Sequence, residues 1–442
     1  MHFDFYILNY FFMVNLSKKQ FVIIGTISFV LIVLVLLVVF NFRGAVGGGV
    51  KTPLSIWGTD PESAWIGILK SYSALRPNVD ASYTFIDPSS YKSAVLNALA
   101  AGKGPDIFYI GNHDLFANSA KLVPAGPDQF DLLKLRNAFP AVVEEDFLLT
   151  GQIGALPLYI DTLATIYNRD MFDQAGIATP PKTWDELLKD IPLLRKTEGG
   201  QISQAAAAIG GSEKSVDAAT DLLTLLMIQN GAKMNNEEKT LASFASGGST
   251  AFGYRAFDFY LQFANAASTY YTWNDSQPNS IDAFSRGKAA IIFNYSSVLP
   301  KIASLSPFLN VGVTPMLQTK SSDTDVNYAS YQGLGVSSQS RSPSWAWDFI
   351  IYATTNETAA RTYGDATGHP PALRSLIAQK SNDLKLNVFA KQALTARSWL
   401  VPSDDIVKEV FGRTIQSVLA GQVGSAAALK QAEGQINQSY SR

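Results

Sequence analysis

The sequence predicts an α/β protein with more than one domain behind a single N-terminal transmembrane helix. Three observations lead there. Strand-like and helix-like segments alternate from Leu54 onward, the pattern of parallel βαβ units. The chain has 442 residues, enough for two or three hydrophobic cores. Phe21–Phe40 (FVIIGTISFVLIVLVLLVVF) is an uncharged run of 20 residues. At about 1.5 Å per helical residue such a run spans the roughly 30 Å hydrocarbon layer.

The flanks of that run set its orientation. Lys18 and Lys19 precede it and Arg43 alone follows, so the positive-inside rule favours a cytoplasmic segment 1–20 and an extracytoplasmic body. The run exceeds the apolar core of a signal peptide, and Asn41-Phe42-Arg43 lacks the small residues of a cleavage site. The chain has no cysteine to carry a lipid. The reading is an uncleaved anchor over 21–40, single-pass in the cell membrane, with Met13 as an alternative start. Residues 41–52, containing Gly44–Val50 (GAVGGGV), form a flexible linker that reaches roughly 20 Å by random-coil scaling.

The body reads as follows. Leu54–Trp57 is a first strand, Ala64–Leu75 a helix and Val79–Phe85 a second strand. Tyr91, Ala94, Val95, Ala98 and Leu99 recur at helical spacing, Gly102 ends that helix, and Asp106–Ile110 is a buried strand. Ligands of parallel sheets bind beyond the carboxyl ends of the strands, which marks the loops after Trp57 and Ile110. Ala164–Asn168 (ATIYN) is another buried strand, and Met171–Ala175 is a helical turn stopped by Gly176. Thr183-Trp184-Asp185-Glu186 fits a capping box, with Glu186 reaching back to the Thr183 amide. Pro192 should kink or shorten the helix that follows. Helices are expected over Asp217–Gln229, Tyr254–Ala266 and Pro343–Tyr363, and strands over Ala289–Phe293, Val311–Pro315 and Gly333–Ser337. Thr367–Pro371 (TGHPP) is a rigid loop, and two helices near Val388–Arg397 and Ile406–Leu419 close the chain.

Composition removes several function classes. Without cysteine there is no disulfide, thiol catalysis or cysteine metal site. The 35 basic and 37 acidic residues fall to 32 and 36 once residues 1–50 are set aside. No basic stripe is present, so nucleic acid is not an expected partner. Three scattered histidines suggest no metal constellation, and no cofactor is expected.

Four segments carry a resemblance. Gly154–Leu188 (GALPLYIDTLATIYNRDMFDQAGIATPPKTWDELL), Gly102–Phe116 (GKGPDIFYIGNHDLF), Ser280–Ser297 (SIDAFSRGKAAIIFNYSS) and Ala346–Thr354 (AWDFIIYAT) resemble, in order and spacing, the maltose-binding-like extracellular solute-binding proteins of ABC sugar importers. The resemblance covers about nine tenths of the chain, from Pro53 to the C-terminus. It implies a two-lobed type II periplasmic-binding-protein fold, with lobe one at 53–159 plus 332–378 and lobe two at 160–331 plus 379–442. It also implies strands that act as a hinge, a carbohydrate ligand in the cleft, an ABC permease as partner, a monomer and no enzyme activity.

A sugar site needs aromatic faces and planar polar groups. Asp60 lies in the first βα loop, as a hydroxyl acceptor or a helix-end charge. Asn112, His113 and Asp114 follow the DIFYI strand; Asp114 is a ligand acid or a helix N-cap. His113 is the one histidine placed near the expected cleft. Tyr159 and Asp161 sit at the lobe crossing, and Asp161 accepts sugar hydroxyls or is a hinge carboxylate bonded to backbone amides. Trp273, in a polar loop, stacks on a ring or pins the loop. Asn294 and Tyr295 end a buried strand, Tyr331 marks the second crossing, and Trp399 precedes the last helix. The loop after Ile110 lacks a tryptophan, which argues against maltodextrin itself. Two other readings stand beside this one. In the first, the chain is a sensing or adhesion module without a permease. In the second, it is a glycan-processing enzyme in which Asp60, Asp114 and Asp161 converge on one bond.

Overall fold

The computed structural model describes residues 51–320, 324–379 and 384–440. The expected anchor over 21–40 and the linker through residue 50 lie outside the described residues. Among the described residues no helix is long and apolar enough to cross a membrane.

The principal elements, in chain order, are β1 (Thr52–Gly58), α1 (Ser63–Leu75), β2 (Val79–Phe85), α2 (Pro88–Ala100) and β3 (Ile107–Gly111). Next come β4 (Leu156–Pro157), β5 (Asp161–Thr162), β6 (Ala164–Asn168), α3 (Trp184–Leu194), β7 (Lys196–Glu198) and β8 (Gln201–Ala207). Then follow α4 (Ala219–Gln229), α5 (Phe252–Gln262), β9 (Ala289–Asn294), β10 (Val311–Thr314), β11 (Asn327–Ser330) and β12 (Gln332–Val336). The chain closes with α6 (Pro343–Thr355), α7 (Glu357–Thr367), α8 (Leu384–Gln392), β13 (Ala396–Arg397), α9 (Asp404–Leu419) and α10 (Ser425–Tyr440).

Two α/β lobes result. The first is built on a sheet of order β2-β1-β3-β12-β4. β1 and β3 pair in parallel, with Ile56 opposite Ile107, as the alternation of segments demands. β12 returns antiparallel, bringing Gln332 beside Gly111 at the carboxyl end of β3. Trp65 is fully buried there, stacked on Tyr83 at 5.2 Å. The second lobe has the sheet β10-β6-β9-β8-β7, in which β8 and β9 are parallel and β6 runs antiparallel to β9. Its helix α4 is buried from Ala219 to Met227, Thr220, Asp221 and Thr224 included alongside Leu222, Leu223, Leu225 and Leu226, as befits a helix enclosed by protein. It packs against α5, α9 and β11.

A small third sheet, β13-β11-β5, joins the lobes. Ser330 pairs with Asp161 and Asn327 with Ala396. Three chain crossings meet in this one sheet, in the position expected of a hinge.

Local departures from expectation have local causes. The span Pro343–Tyr363 is two helices, because Asn356 leaves the helical region and its side chain caps α7 at the Ala359 amide. Glu186 reaches the Lys182 amide at 2.7 Å, one residue beyond the expected Thr183, while Thr183 caps Glu186 as expected. Pro192 is accommodated inside α3, which continues to Leu194. The helix near Val388–Arg397 instead ends at Gln392, and Ala396–Arg397 are a hinge strand. After Ile406–Leu419 a further helix, α10, seals the second lobe with Leu429, Ala432 and Ile436.

Candidate functional site

The carboxyl ends of β1, β3 and β4 face the hinge, and so do those of β8 and β9 in the other lobe. The loops at these ends define an interlobe cleft. A cavity of about 450 Å3 lies at the end of β3, lined mostly by the first lobe, by Tyr91, Lys92, Val95 and Leu96 of α2 with Thr59, Asp114 and Gln332, and by Ser403 and Asp405 of the second. Asp114 makes no side-chain cap to the helix after it. Its partner is Lys92 at 3.2 Å, and Lys92 also meets Asp405 at 2.9 Å, so one ammonium bridges both lobes at the cavity.

Asp60 is the centre of a second cluster. It accepts from the hydroxyls of Tyr109, at 2.8 Å, and Tyr363. His369 Nε2 lies 3.7 Å from its other oxygen. Burial pushes the Asp60 carboxyl up, but the donors His369, Tyr363 and Tyr109 outweigh it and hold the pKa below the usual value. Tyr159 is half-buried, and its ring lies flat on His369 with centroids 3.8 Å apart. Nothing in the sequence places His369 near the cleft; the structure brings it into this cluster. Gly368 takes φ 75° to end α7, and that turn swings His369 towards the hinge, where Pro371 bridges to Tyr159.

Several candidates are committed elsewhere. Asp161 is 3 % exposed. Its carboxylate accepts from the amides of Thr162 (2.9 Å), Ser296 (3.1 Å) and Ser297 (3.3 Å) and from the Ser296 hydroxyl (2.7 Å). With four donors satisfied it staples β5 to the loop after β9; it has no oxygen left for a sugar hydroxyl. Burial is the largest influence on it and raises its pKa. Asn112 gives its amide to Asp146 and Ser398 and accepts from the Tyr331 amide. Tyr331, 2 % exposed, donates to Asp146 at 2.8 Å. These three residues form a buried hinge network, in which burial lifts Asp146 to about 6.

Neither expected tryptophan platform is available. Trp273 is 1 % exposed and packs with Val216, Ala219 and Ile292. The polar residues around it bond to their own lobe rather than to solvent: Thr272 Oγ1 accepts from the amides of Ala206 and Ala207. Trp399 is buried edge-on against Phe244. Asn294 is buried, donating to Asp217 at 3.1 Å and accepting from the Tyr295 amide. Tyr295 is half-buried, with its hydroxyl on Asp221 at 2.6 Å.

His113 joins the lobes. Its Nε2 lies 3.1 Å from the Tyr328 hydroxyl and 3.2 Å from Ser398 Oγ, and Nδ1 lies 3.6 Å from Asp404 of α9. Burial lowers its pKa, but the hydrogen bond and charge of Asp404 prevail and raise it. Asp404 also meets Lys408 at 2.8 Å. The three carboxylates of the glycosidase reading therefore have separate commitments: Asp60 to phenols and His369, Asp114 to Lys92, Asp161 to the Ser296 loop. Among the described residues no group of histidines and carboxylates is arranged to hold a metal ion.

Sequence reasoning missed Lys92, His369, Gln332, Asp404 and the loop 212–217. Their roles depend on partners far along the chain; Tyr363 and Asp60, for example, are 303 positions apart.

A family model described as bacterial extracellular solute-binding protein matches residues 57–360. The fold resembles that of the sugar-binding protein MalE from Xanthomonas citri, with TM-score 0.73 and 19 % identity, covering 88 % of this chain and 98 % of that one. It also resembles the cyclic alpha-maltosyl-1,6-maltose binding protein of Arthrobacter globiformis, with TM-score 0.74 and 17 % identity, covering 88 % and 99 %. At these identities the likeness is one of fold. In sequence, the maltotriose-binding protein of Pyrococcus abyssi is 32 % identical over 123 residues, 27 % of this chain and 25 % of that protein. A protein of Brucella abortus (strain 2308) is 24 % identical over 132 residues, 30 % of this chain. The match spans only about a third of that relative's length, at 32 %.

Proposed function

Because the chain belongs to the bacterial extracellular solute-binding protein family, we propose that it captures a saccharide between its lobes and presents it to an ABC importer. The family is one of binding proteins, not enzymes. The observation that carries the saccharide reading is the cavity of about 450 Å3 at the end of β3, where Thr59, Lys92, Asp114 and Gln332 stand among apolar residues of α2 and β3 and meet Ser403 and Asp405 of the other lobe. Hydroxyl, amide, ammonium and carboxylate groups at such a wall donate to and accept from a polyol. Closure of two lobes on the ligand gives the permease a closed state to distinguish from an open one.

The lobes are taken as 53–159 plus 332–378 and 160–331 plus 379–442, in a monomer. Anchoring by 21–40 keeps the body on the extracytoplasmic side; its support is the uncharged apolar run behind Lys18 and Lys19. The full chain is then expected in the membrane fraction, and a mature N-terminus near Gly44 would overturn the anchor. The ligand is tested by a thermal-shift screen against mono- and oligosaccharides. A ligand at about 100-fold excess over Kd adds about 2.7 kcal/mol to stability, so a bound saccharide raises the melting temperature visibly. No shift with any saccharide, alongside a shift with a solute of another class, would overturn the saccharide reading.

A further inference from the structure

The loop between β8 and α4, Gly210–Asp217, follows the carboxyl end of β8 and meets the end of β9 through Asp217 and Asn294. It carries two acids. Asp217 accepts from Asn294, and Glu213 accepts from the Thr220 amide at 2.8 Å and lies within the charge field of Asp221 and Lys408. A glycine-serine loop of this kind (GGSEKSVD) has little stiffness of its own, so something must hold it. Asp275 does. Its Oδ1 accepts from the Ser212 amide at 2.7 Å and the Ser215 hydroxyl at 2.8 Å. Its Oδ2 accepts from the Ser212 hydroxyl at 2.5 Å and from Gln416 Nε2 of α9 at 3.3 Å. The knot is tight: a Cβ at Gly211 would lie 2.2 Å from Ser215 Oγ and 2.8 Å from Asp275 Oδ1. Tyr260 of α5 donates to the Gly211 carbonyl at 2.7 Å, and the Ser280 amide to the Ser215 carbonyl at 2.8 Å. Asp275 itself is fixed because Trp273, two residues earlier, is embedded in the core. Trp273 thus has a use that its burial alone does not reveal: it anchors the arm that carries Asp275.

We propose that Asp275 is a positioning residue of the cleft, whose carboxylate holds the 210–217 loop in the shape that presents Glu213 and Asp217 to a bound saccharide. The presentation of these acids to a saccharide rests on the saccharide-binding reading; the holding of the loop does not. Asp275 is only partly buried, and one side of it lines a hollow of about 700 Å3 on the second lobe. Its replacement therefore leaves no unpaired charge in a core.

The test uses the full chain as wild type, Asp275→Ala and Asp275→Asn. Hydrogen–deuterium exchange is followed in peptides covering 209–218, with β6 and β9 as internal references. Asp275→Ala is expected to speed exchange in 209–218 by about tenfold or more and to leave the references unchanged. Asp275→Asn keeps most of the protection, because its amide oxygen still accepts from the Ser212 amide and the Ser215 hydroxyl. Unchanged exchange in 209–218 overturns the proposal, as does an equal rise in the reference strands. Titration with maltotriose as probe then asks whether the loop serves the cleft. Binding at least about tenfold weaker in Asp275→Ala, with partial recovery in Asp275→Asn, supports the proposal; a loosened loop with unchanged affinity overturns it. If wild type ignores maltotriose and every other saccharide tried, the ligand reading fails, while the exchange result still decides whether Asp275 holds the loop.

Discussion

Replacing Asp161 with asparagine separates a hinge staple from a ligand contact. In the native protein Oδ1 takes the amides of Thr162 and Ser296, and Oδ2 takes the Ser296 hydroxyl and the Ser297 amide. An asparagine keeps the first pair on its oxygen. Its NH2 group then faces the Ser296 hydroxyl, which can turn to accept, and the Ser297 amide, which cannot. One hydrogen bond is lost outright, and the remaining ones fall from charge-assisted values of about 1.5–3 kcal/mol to neutral values of about 0.5–1.5 kcal/mol. Burying a neutral group instead of a carboxylate returns part of this, since burial already disfavours the charged form. The net expectation is a loss of about 2 kcal/mol in the ligand-free protein. For a lobe-sized unit that lowers Tm by roughly 2–4 °C per kcal/mol. The assay is thermal and urea unfolding of ligand-free wild type and Asp161→Asn, with saccharide titration in parallel. Melting like wild type together with binding weakened tenfold would refute the staple and restore Asp161 as a ligand acceptor.

Three further outcomes follow from the same geometry. Trp273→Ala removes a buried indole and should cost about 3–5 kcal/mol of stability, seen as a large drop in the urea midpoint; an unchanged midpoint would contradict its place in the core. His113 has a raised pKa because Asp404 faces it, with Asp221 and Asp146 adding to the effect. Its contribution to stability is therefore full below the ordinary value of 6.5 and is lost as pH rises through the raised folded value. The stability difference between wild type and His113→Gln should shrink as pH rises above 6.5, and a difference independent of pH would contradict the pairing. Asp114→Asn, at the cavity wall, should weaken saccharide binding about ten- to a hundredfold with little change in Tm; undiminished affinity would remove Asp114 from the site.

What was legible in the sequence was what local physics determines. The ATIYN strand follows from four buried or half-buried apolar and β-prone positions, and the α3 start from Thr183 capping Glu186. The parallel pairing of β1 and β3 follows from the helix that must intervene between them. The site was less legible because burial is set by tertiary partners. Trp273 has polar neighbours in sequence, yet Thr272 and Asp275 turn inward to amides and hydroxyls of their own lobe, and the indole goes with them. Asp161 looked available because the loop that saturates it, at Ser296 and Ser297, lies 135 and 136 positions away. His369 looked like part of a rigid loop, and it is; what the sequence did not carry is that the loop returns to Asp60 and Tyr159.

The decisive question is whether a saccharide is held between the lobes. A crystal structure of the protein with the saccharide that most raises its Tm tests this most directly. A saccharide held there gives sugar density in the cleft, with hydroxyls within hydrogen-bond distance of Asp114 or Lys92 on one side and of residues from the 212–217 or 403–405 segments on the other. Sugar density confined to the hollow of about 700 Å3 beside Asp258 and Gln262, or anywhere else away from the hinge, would contradict it.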